Sequence, residues 1–309
     1  MAMTLSQLRT FLAVADAGSV RVAAETLLIS QPAVSAAIAS LQRELGVALV
    51  ARHGRGLRLT AAGTAFADDV RTSLGLLDHG SRRARSIEDP ARGTVRLVAV
   101  ATATERLLLP LVARFREQHP EAGVTIQVGN RTTVWETLRH HKADLVVAGR
   151  PPVAVPADTL ACGENRLVVI GPASATPRRN GADAEHDPAR QTWLLREPGS
   201  GTRAAADALL AELGIDPPTM ILGSNAAIER GVKLGLGVGL ISLDAAAEGI
   251  SQGSATVWAC PGTPMDRPWH LVCYSGEPLG PTALALVRSM VGPGGSLKAT
   301  AEGRRILRS

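Results

Sequence analysis

Within residues 1–46, three amphipathic helical patterns are joined by turns so short that the helices must pack on one another. Leu8, Phe11, Leu12 and Ala15 recur at helical spacing, and Gly18 stops the run. Ser19 then caps a second, short helix to about Leu27, where Ala23 and Ala24 offer a small face for close packing. After the turn Leu28-Ile29-Ser30, Ser30 is a good N-cap and Pro32 falls in the first turn, where its missing N–H costs nothing. Val34, Ile38, Leu41 and Leu45 complete the third helix before Gly46 ends it. Leu49 to Arg52 and Leu57 to Thr60 read as two short strands around the flexible, basic tip His53-Gly54-Arg55-Gly56. The local plan is a winged helix-turn-helix.

From Thr60, a plausible N-cap, a long helix runs to about Ile87. Phe66, Val70, Leu74, Leu77, Ser81 and Ala84 recur at a period close to 3.5, a narrow seam suited to a second helix, so this segment is expected to dimerise. Glu88 to Gly93 breaks the helix and makes a hinge. Strand and helix then alternate: Val95 to Val100, Glu105 to Gln118, Gly123 to Val128, Thr132 to His141, Leu145 to Ala148, with a second unit beginning at Leu167 to Gly171. Such alternation implies open α/β sheets, two here, with a ligand cleft between them. The expected organisation is a winged domain over 1–60, a linker helix and hinge over 61–92, a two-lobed domain over 93–292 and a loose basic tail over 293–309.

The net charge of +5 sits mainly at the two ends of the chain. Residues 1–60 hold Arg9, Arg21, Arg43, Arg52, Arg55 and Arg58 against Asp16, Glu25 and Glu44, while 293–309 hold Lys298, Arg304, Arg305 and Arg308 against Glu302. A basic end on a neutral body fits a polyanion-binding module. Phe11 is the only aromatic residue of 1–60, which argues against single-strand binding by base stacking. Cys162, Cys260 and Cys273 form neither a disulfide framework nor a zinc knuckle, and suit a reducing cytoplasm. The longest nearly uncharged apolar stretch, near Leu234 to Leu243, is half a membrane span, so no membrane partner is expected.

In a helix-turn-helix, the first-turn side chains of the second helix of the pair reach base edges in the major groove of double-stranded DNA. Those are Ser30, Gln31, Ser35 and Ala36, next to Pro32, with Gln31 able to make two bonds to an adenine edge. In the cleft, Ser200, Gly201, Thr202 and Arg203 fall between a strand and a helix, where N–H groups and the helix dipole would hold a small anion. Ala101, Thr102, Ala103 and Thr104 end the first strand, and Asn130, Arg131, Thr132 and Thr133 follow the second. Gly235-Leu236-Gly237-Val238-Gly239 follows a helix and precedes a strand, the reverse of a dinucleotide site, and reads as a tight turn. No nucleotide-hydrolysing loop or nucleophile motif is present, and His119, His140 and His141 lack metal-ligand spacing.

Leu5-Ser6-Gln7-Leu8-Arg9-Thr10-Phe11, Gly18-Ser19, Ala23-Ala24, Ser30-Gln31-Pro32-Ala33-Val34-Ser35, Leu41-Gln42, Leu45-Gly46 and Leu59-Thr60-Ala61-Ala62-Gly63 resemble the N-terminal domain of LysR-type transcriptional regulators. Glu117-Gln118-His119-Pro120, Ala143-Asp144-Leu145, Gly149-Arg150-Pro151-Pro152, Arg196 to Arg203, Ser224-Asn225-Ala226 and Gly235-Leu236-Gly237 resemble that family's effector-binding domain. The second set is similar to the subgroup controlling carbon fixation and sulfur or cysteine metabolism. The resemblance implies an α/β multidomain chain: a winged helix-turn-helix, a long linker helix and a two-lobed effector domain like periplasmic binding proteins. It adds Gly149, Arg150 and Asn225 to the effector-site candidates. It also implies a non-enzymatic regulator without a cofactor. Its partners would be a small-molecule effector, a homodimer or homotetramer that bends DNA, and RNA polymerase at the promoter.

The chain departs from the family pattern at Ala36 and Ala39, where a basic residue is common, and at Val20 and Val50, where aromatic residues are common. With fewer bonds available on the recognition helix, the wing residues Arg52, Arg55 and Arg58 are expected to carry more of the electrostatic affinity. Two readings compete with a regulator. In one, a stand-alone α/β solute-binding or enzymatic protein uses its N-terminal helices only to form an oligomer. In the other, a cysteine-based redox sensor responds through Cys162, Cys260 or Cys273.

Overall fold

The computed structural model describes residues 3–54, 56–173 and 187–308. Two compact units divide the chain at Ser81 and Arg82, within one continuous helix.

The first unit begins with α1 (Leu5–Ala17), α2 (Val20–Leu27) and α3 (Gln31–Leu45). Thr4 and Gln7 form a capping box on α1, and Gly18 closes it at a left-handed φ of 60°. Ser19 and Ser30 cap the next two helices through their side chains. Phe11, Val14, Ala23, Ala24, Val34, Ile38 and Leu41 make the core, so each helix buries the stripe its periodicity marks. The antiparallel strands β1 (Val50–His53) and β2 (Gly56–Leu59) form the hairpin expected as the wing.

Helix α4 (Ala61–Glu88) has the expected length, but the seam of apolar positions is not uniformly covered. Val70 is buried and Phe66 packs against the first unit's core, whereas Leu77 is 54% exposed and Ser81 and Ala84 are exposed.

The second unit continues with β3 (Thr94–Ala99), a short helix α5 (Ala101–Ala103), a π-helical turn over Thr104–Leu108, α6 (Leu109–Gln118), β4 (Gly123–Val128), α7 (Arg131–Arg139) and β5 (Leu145–Ala148). Strands β6 (Ala157–Gly163) and β7 (Arg166–Pro172) follow, then β8 (Trp193–Leu195), α8 (Gly201–Leu213), β9 (Thr219–Ile221), α9 (Asn225–Lys233), β10 (Gly239–Ser242) and α10 (Leu243–Ser251). The chain ends through β11 (Ala255–Val257), β12 (Met265–Asp266), β13 (Trp269–Tyr274), α11 (Pro281–Val291), β14 (Lys298–Ala299) and α12 (Ala301–Ile306).

These elements form two lobes. The first is built on a six-stranded sheet in the order β14-β6-β13-β5-β3-β4, parallel among β5, β3 and β4. Its alternating side chains face opposite cores: Leu97 and Val147 pack with Phe115 and Leu286, while Val98 and Val146 pack with Val134 and Leu138. The second lobe centres on β7, which pairs with β10, β11 and β12. Leu167 and Val169 pack on the α8 side, and Val168 and Ile170 on the α9 side. As the expectation of two sheets allowed, the run at His270 to Tyr274 returns to the first lobe, where β13 lies between β5 and β6.

Residues 293–309, expected as a loose tail, are instead ordered structure through 308. Lys298 and Ala299 pair with Cys162 and Ala161 of β6, covering a strand that would otherwise be an open edge. Thr300 caps α12, and Gly303 lies so close to the Leu160 carbonyl that an added Cβ would sit 1.8 Å from its oxygen. Two of the tail's interactions are arginine to backbone: Arg304 Nη1 donates to the Ala299 carbonyl at 2.7 Å, and Arg288 Nη2 donates to the Leu307 carbonyl at 2.9 Å. Part of the C-terminal positive charge therefore fastens the end of the chain. Among the described residues, no single helix is long and apolar enough to cross a membrane.

Candidate nucleic-acid interface and effector cleft

In the first unit, Ser30 uses its hydroxyl as an acceptor for the Ala33 N–H, while Gln31, Pro32, Ser35 and Ala36 lie exposed at the start of α3. Gln31 and Ser35 are four residues apart and share one face. Arg52 and Arg58 are both exposed, but the hairpin register pairs Arg52 with Leu57 and Ala51 with Arg58. Directly opposed residues point to the same face, so the two arginines occupy opposite faces of the wing. Arg55, the third wing candidate, lies outside the described residues.

Sequence reasoning missed Gln42. Its Oε1 accepts from the N–H groups of Leu49 at 2.7 Å and Val50 at 3.2 Å, joining the recognition helix to the base of the wing. Thr60 holds the same strand from the other side, donating to the Ala48 carbonyl at 2.7 Å. Only the fold reveals this, because a glutamine on a helix is ordinarily a solvated side chain.

The second unit encloses a cavity of about 460 Å³ between its lobes. Three helix starts line it: Val100, Ala101 and Thr102 before and within α5, Gly129, Asn130 and Arg131 at α7, and Ser200, Gly201 and Thr202 at α8. Asn130 and Ser200 are side-chain N-caps, whereas α5 begins without one. Gly149 and Arg150 also line the cavity.

The remaining candidates stand behind this wall. Ala103 is buried in the first lobe's core, and the Thr104 hydroxyl donates back to the Val100 carbonyl at 3.1 Å. Thr133 donates its N–H and hydroxyl to Asn130 Oδ1. The Thr132 hydroxyl lies near Gly199, where an added Cβ would be 3.4 Å from it. Arg203 is ion-paired with Asp207. Asn225 Nδ2 donates to Thr102 Oγ1 at 2.6 Å, and Asn225 Oδ1 accepts from Arg196 at 3.0 Å.

Part of the lining was not foreseen: Arg196, Asn165 and the segment Asp266 to His270. That segment and Asn165 flank the two crossings between lobes, and Asn165 joins them. Its Nδ2 donates to the Arg267 carbonyl at 2.7 Å, and its Oδ1 accepts from the Ser242 hydroxyl at 2.7 Å. No glycine-rich or helix-start pattern marks Asn165 or the segment Asp266 to His270 in the sequence.

The cavity is strongly electropositive. Among the described residues, Arg131, Arg150, Arg196 and Arg267 line it against one carboxylate, Asp266. Arg196 is held by Glu197, with Nε and Nη2 at 2.8 and 2.9 Å from the two carboxylate oxygens. Burial pushes the Glu197 carboxyl up, but the Arg196 hydrogen bond and charge outweigh this and leave it below the usual range. Burial and then the charge of Arg150 hold the His270 imidazole below its ordinary value. Burial raises all three thiols, Cys273 to about 12, so none is a ready thiolate.

Residues 5–64 match the family described as "Bacterial regulatory helix-turn-helix protein, lysR family", and residues 88–292 match "LysR substrate binding domain". The HTH-type transcriptional regulator CbbR of Rhodospirillum rubrum is 32% identical over 285 residues, covering 92% of this chain and 94% of that protein. The RuBisCO operon transcriptional regulator of Allochromatium vinosum is 33% identical over 284 residues, with the same coverage of 92% and 94%. Full-length CbnR, crystallised with its target DNA, shares the fold at a TM-score of 0.64 and 23% identity, covering 93% of this chain and 98% of that one. These matches span both units and support neither the stand-alone solute-binding nor the enzymatic reading. The chain belongs to the LysR family, whose members are non-enzymatic, DNA-binding transcriptional regulators with an effector-binding domain.

Proposed function

We propose that this protein binds a dyad-symmetric promoter site as a homodimer or homotetramer and responds to a small anionic metabolite held in the cleft of its second unit. The observation that carries the ligand class is the cleft's charge. Among the described residues Arg131, Arg150 and Arg267 have no ion-pair partner, and the cavity they line is also bordered by three helix starts. Unneutralised guanidiniums and helix N-termini together favour an anion.

Gln31 and Ser35 would read bases, with Ser30, Pro32 and Ala36 fitting the recognition helix to the groove, while Arg52, Arg55 and Arg58 would contact phosphates. Contact with RNA polymerase at the promoter and a cytoplasmic location fit this role. The names of the relatives support genes of carbon fixation as the regulated set.

Titration calorimetry of the full chain with inorganic phosphate and small phosphorylated carboxylates tests the ligand class. At least one should bind, and Arg150→Ala should weaken it about tenfold, the loss of one charge-assisted bond. Binding unaffected by Arg150→Ala, or no anion binding at all, would contradict the proposal.

A further inference from the structure

The hydrogen bonds behind the cleft fix which way its polar side chains can point their protons. An arginine has donors and no acceptor, so the bond from Arg196 Nη1 to Asn225 at 3.0 Å must end on the amide oxygen. The amide nitrogen of Asn225 is then turned toward Thr102, and it donates to Oγ1 at 2.6 Å. Both residues are buried, Thr102 at 7% and Asn225 at 8% exposure. With its oxygen already accepting from Asn225, the Thr102 hydroxyl has a proton to give, and no described residue accepts it. Thr102 lines the cavity, so that proton is available to a ligand.

Two neighbours repeat the pattern. Asn130 Oδ1 accepts from the N–H and hydroxyl of Thr133 at 2.9 and 3.1 Å, which leaves its amide nitrogen without a protein acceptor among the described residues, and Asn130 lines the cavity. The Ser200 oxygen accepts from the Arg203 N–H, leaving its hydroxyl proton. Asn165, by contrast, has both ends of its amide committed to Arg267 and Ser242. At Thr102, Asn130 and Ser200, protein donors thus occupy the side-chain oxygens and leave donors as the uncommitted groups of residues that line the cavity.

We propose that Asn225 is a positioning residue that sets the polarity of Thr102, so that Thr102, Asn130 and Ser200 present donors to the cleft and select a deprotonated oxyanion group. This rests on the anionic-effector reading above and sharpens it. Asn225 itself touches no ligand; it acts through the direction of one hydroxyl.

Inorganic phosphate is the probe, titrated calorimetrically into the full chain. Asn225→Asp keeps an oxygen for Arg196 but now accepts from Thr102, reversing the hydroxyl; the expected loss of phosphate affinity is about tenfold or more. Thr102→Val, which removes the hydroxyl at constant shape, should lose a comparable factor, and Thr102→Ser should keep most of the affinity. The negative charge introduced by Asn225→Asp would by itself weaken anions in any background, so the deciding quantity is the Asn225→Asp loss measured in Thr102→Val protein. Polarity control predicts that this loss shrinks to under about threefold there. An equal loss in both backgrounds would overturn the role of Asn225. Should the Asn225→Asp protein fail to fold, wild-type affinity in Thr102→Val would overturn it equally. Wild-type protein that binds no phosphate would overturn this inference and count against the anionic-effector reading, whereas wild-type binding with equal losses leaves that reading standing.

Discussion

The Arg82 guanidinium lies 3.3 Å from the Asp144 carboxylate, tying the last turns of α4 to the first lobe of the effector domain. The other Asp144 oxygen accepts from the Arg96 N–H at 2.7 Å, so one carboxylate joins the linker helix to the start of the sheet. A few residues on, the hydroxyls of Ser86 and Thr282 are 2.9 Å apart, and Thr282 donates to the Pro90 carbonyl at 3.1 Å. The end of the helix is therefore fixed to this lobe by polar contacts with little exposure to water.

Asp144→Asn should lower the stability of the effector domain by about 2 kcal/mol, less than a fully buried pair because Arg82 keeps some contact with solvent. Urea denaturation of the full chain, followed by a probe in the second unit, measures this.

Gln42→Ala should free the base of the wing by leaving the N–H groups of Leu49 and Val50 without their acceptor. The expected cost is about 1–2 kcal/mol in the first unit's stability. DNA affinity should fall together with the salt dependence of binding, as wing contacts to phosphate are lost. Gln42→Glu, which keeps the acceptor oxygen, should restore most of both. Unchanged salt dependence in Gln42→Ala would show that the wing does not rely on this bond.

Gln31→Ala should reduce the preference for the operator over random duplex while leaving random-sequence binding nearly intact, because base contacts carry sequence information. Arg58→Ala should weaken binding to both duplexes and lower the salt slope by about 0.9, the value for one phosphate contact. Fluorescence anisotropy over a salt series separates the two. Equal loss on all sequences from Gln31→Ala would remove its base-reading role.

Much of this architecture was legible because periodicity and caps are local. Ser19, Ser30 and Gly46 delimit their helices in the sequence as they do in the structure, and the strand-helix alternation from Val95 onward indicated a two-lobed α/β domain, although β8 and β9 pair as a small sheet of their own. The cleft was half legible. Positions at helix starts, such as Thr102, Asn130 and Ser200, follow from a general rule about where strands deliver ligands. Arg267 and His270 do not, since their placement depends on where the chain crosses between lobes and on β13 returning to the first sheet. The tail misled for a related reason. Gly and Ser near residue 295 look like a linker, but the open edge of β6, distant in sequence, is what orders Lys298 and Ala299.

His270 is expected to make anion binding in the cleft depend on pH. Burial and the charge of Arg150 disfavour its imidazolium, so the neutral imidazole is favoured at pH 7. The unfolded chain protonates it near the ordinary value of about 6.5, so its contribution to stability is present above that pH and is lost as pH falls below it. A bound anion that does not itself titrate in this range, such as sulfate, would favour the imidazolium, so its binding should take up a proton and tighten as pH falls from about 7 to 6. Calorimetry in buffers of different ionisation enthalpy measures that uptake, and His270→Ala should abolish it. Proton release on binding would contradict the assignment.

The central claim, that this chain is a sequence-specific regulator governed by an anion in its cleft, is tested most directly by anisotropy of the full chain on its own upstream promoter duplex and on a scrambled duplex. The titrations are run at moderate salt, with and without the tightest-binding anion from the calorimetric series. The account predicts at least a hundredfold preference for the promoter, within the usual range for specific binders, and a shift in promoter binding when the anion is added. Equal affinity for the two duplexes, or promoter binding that ignores a saturating anion, would contradict it.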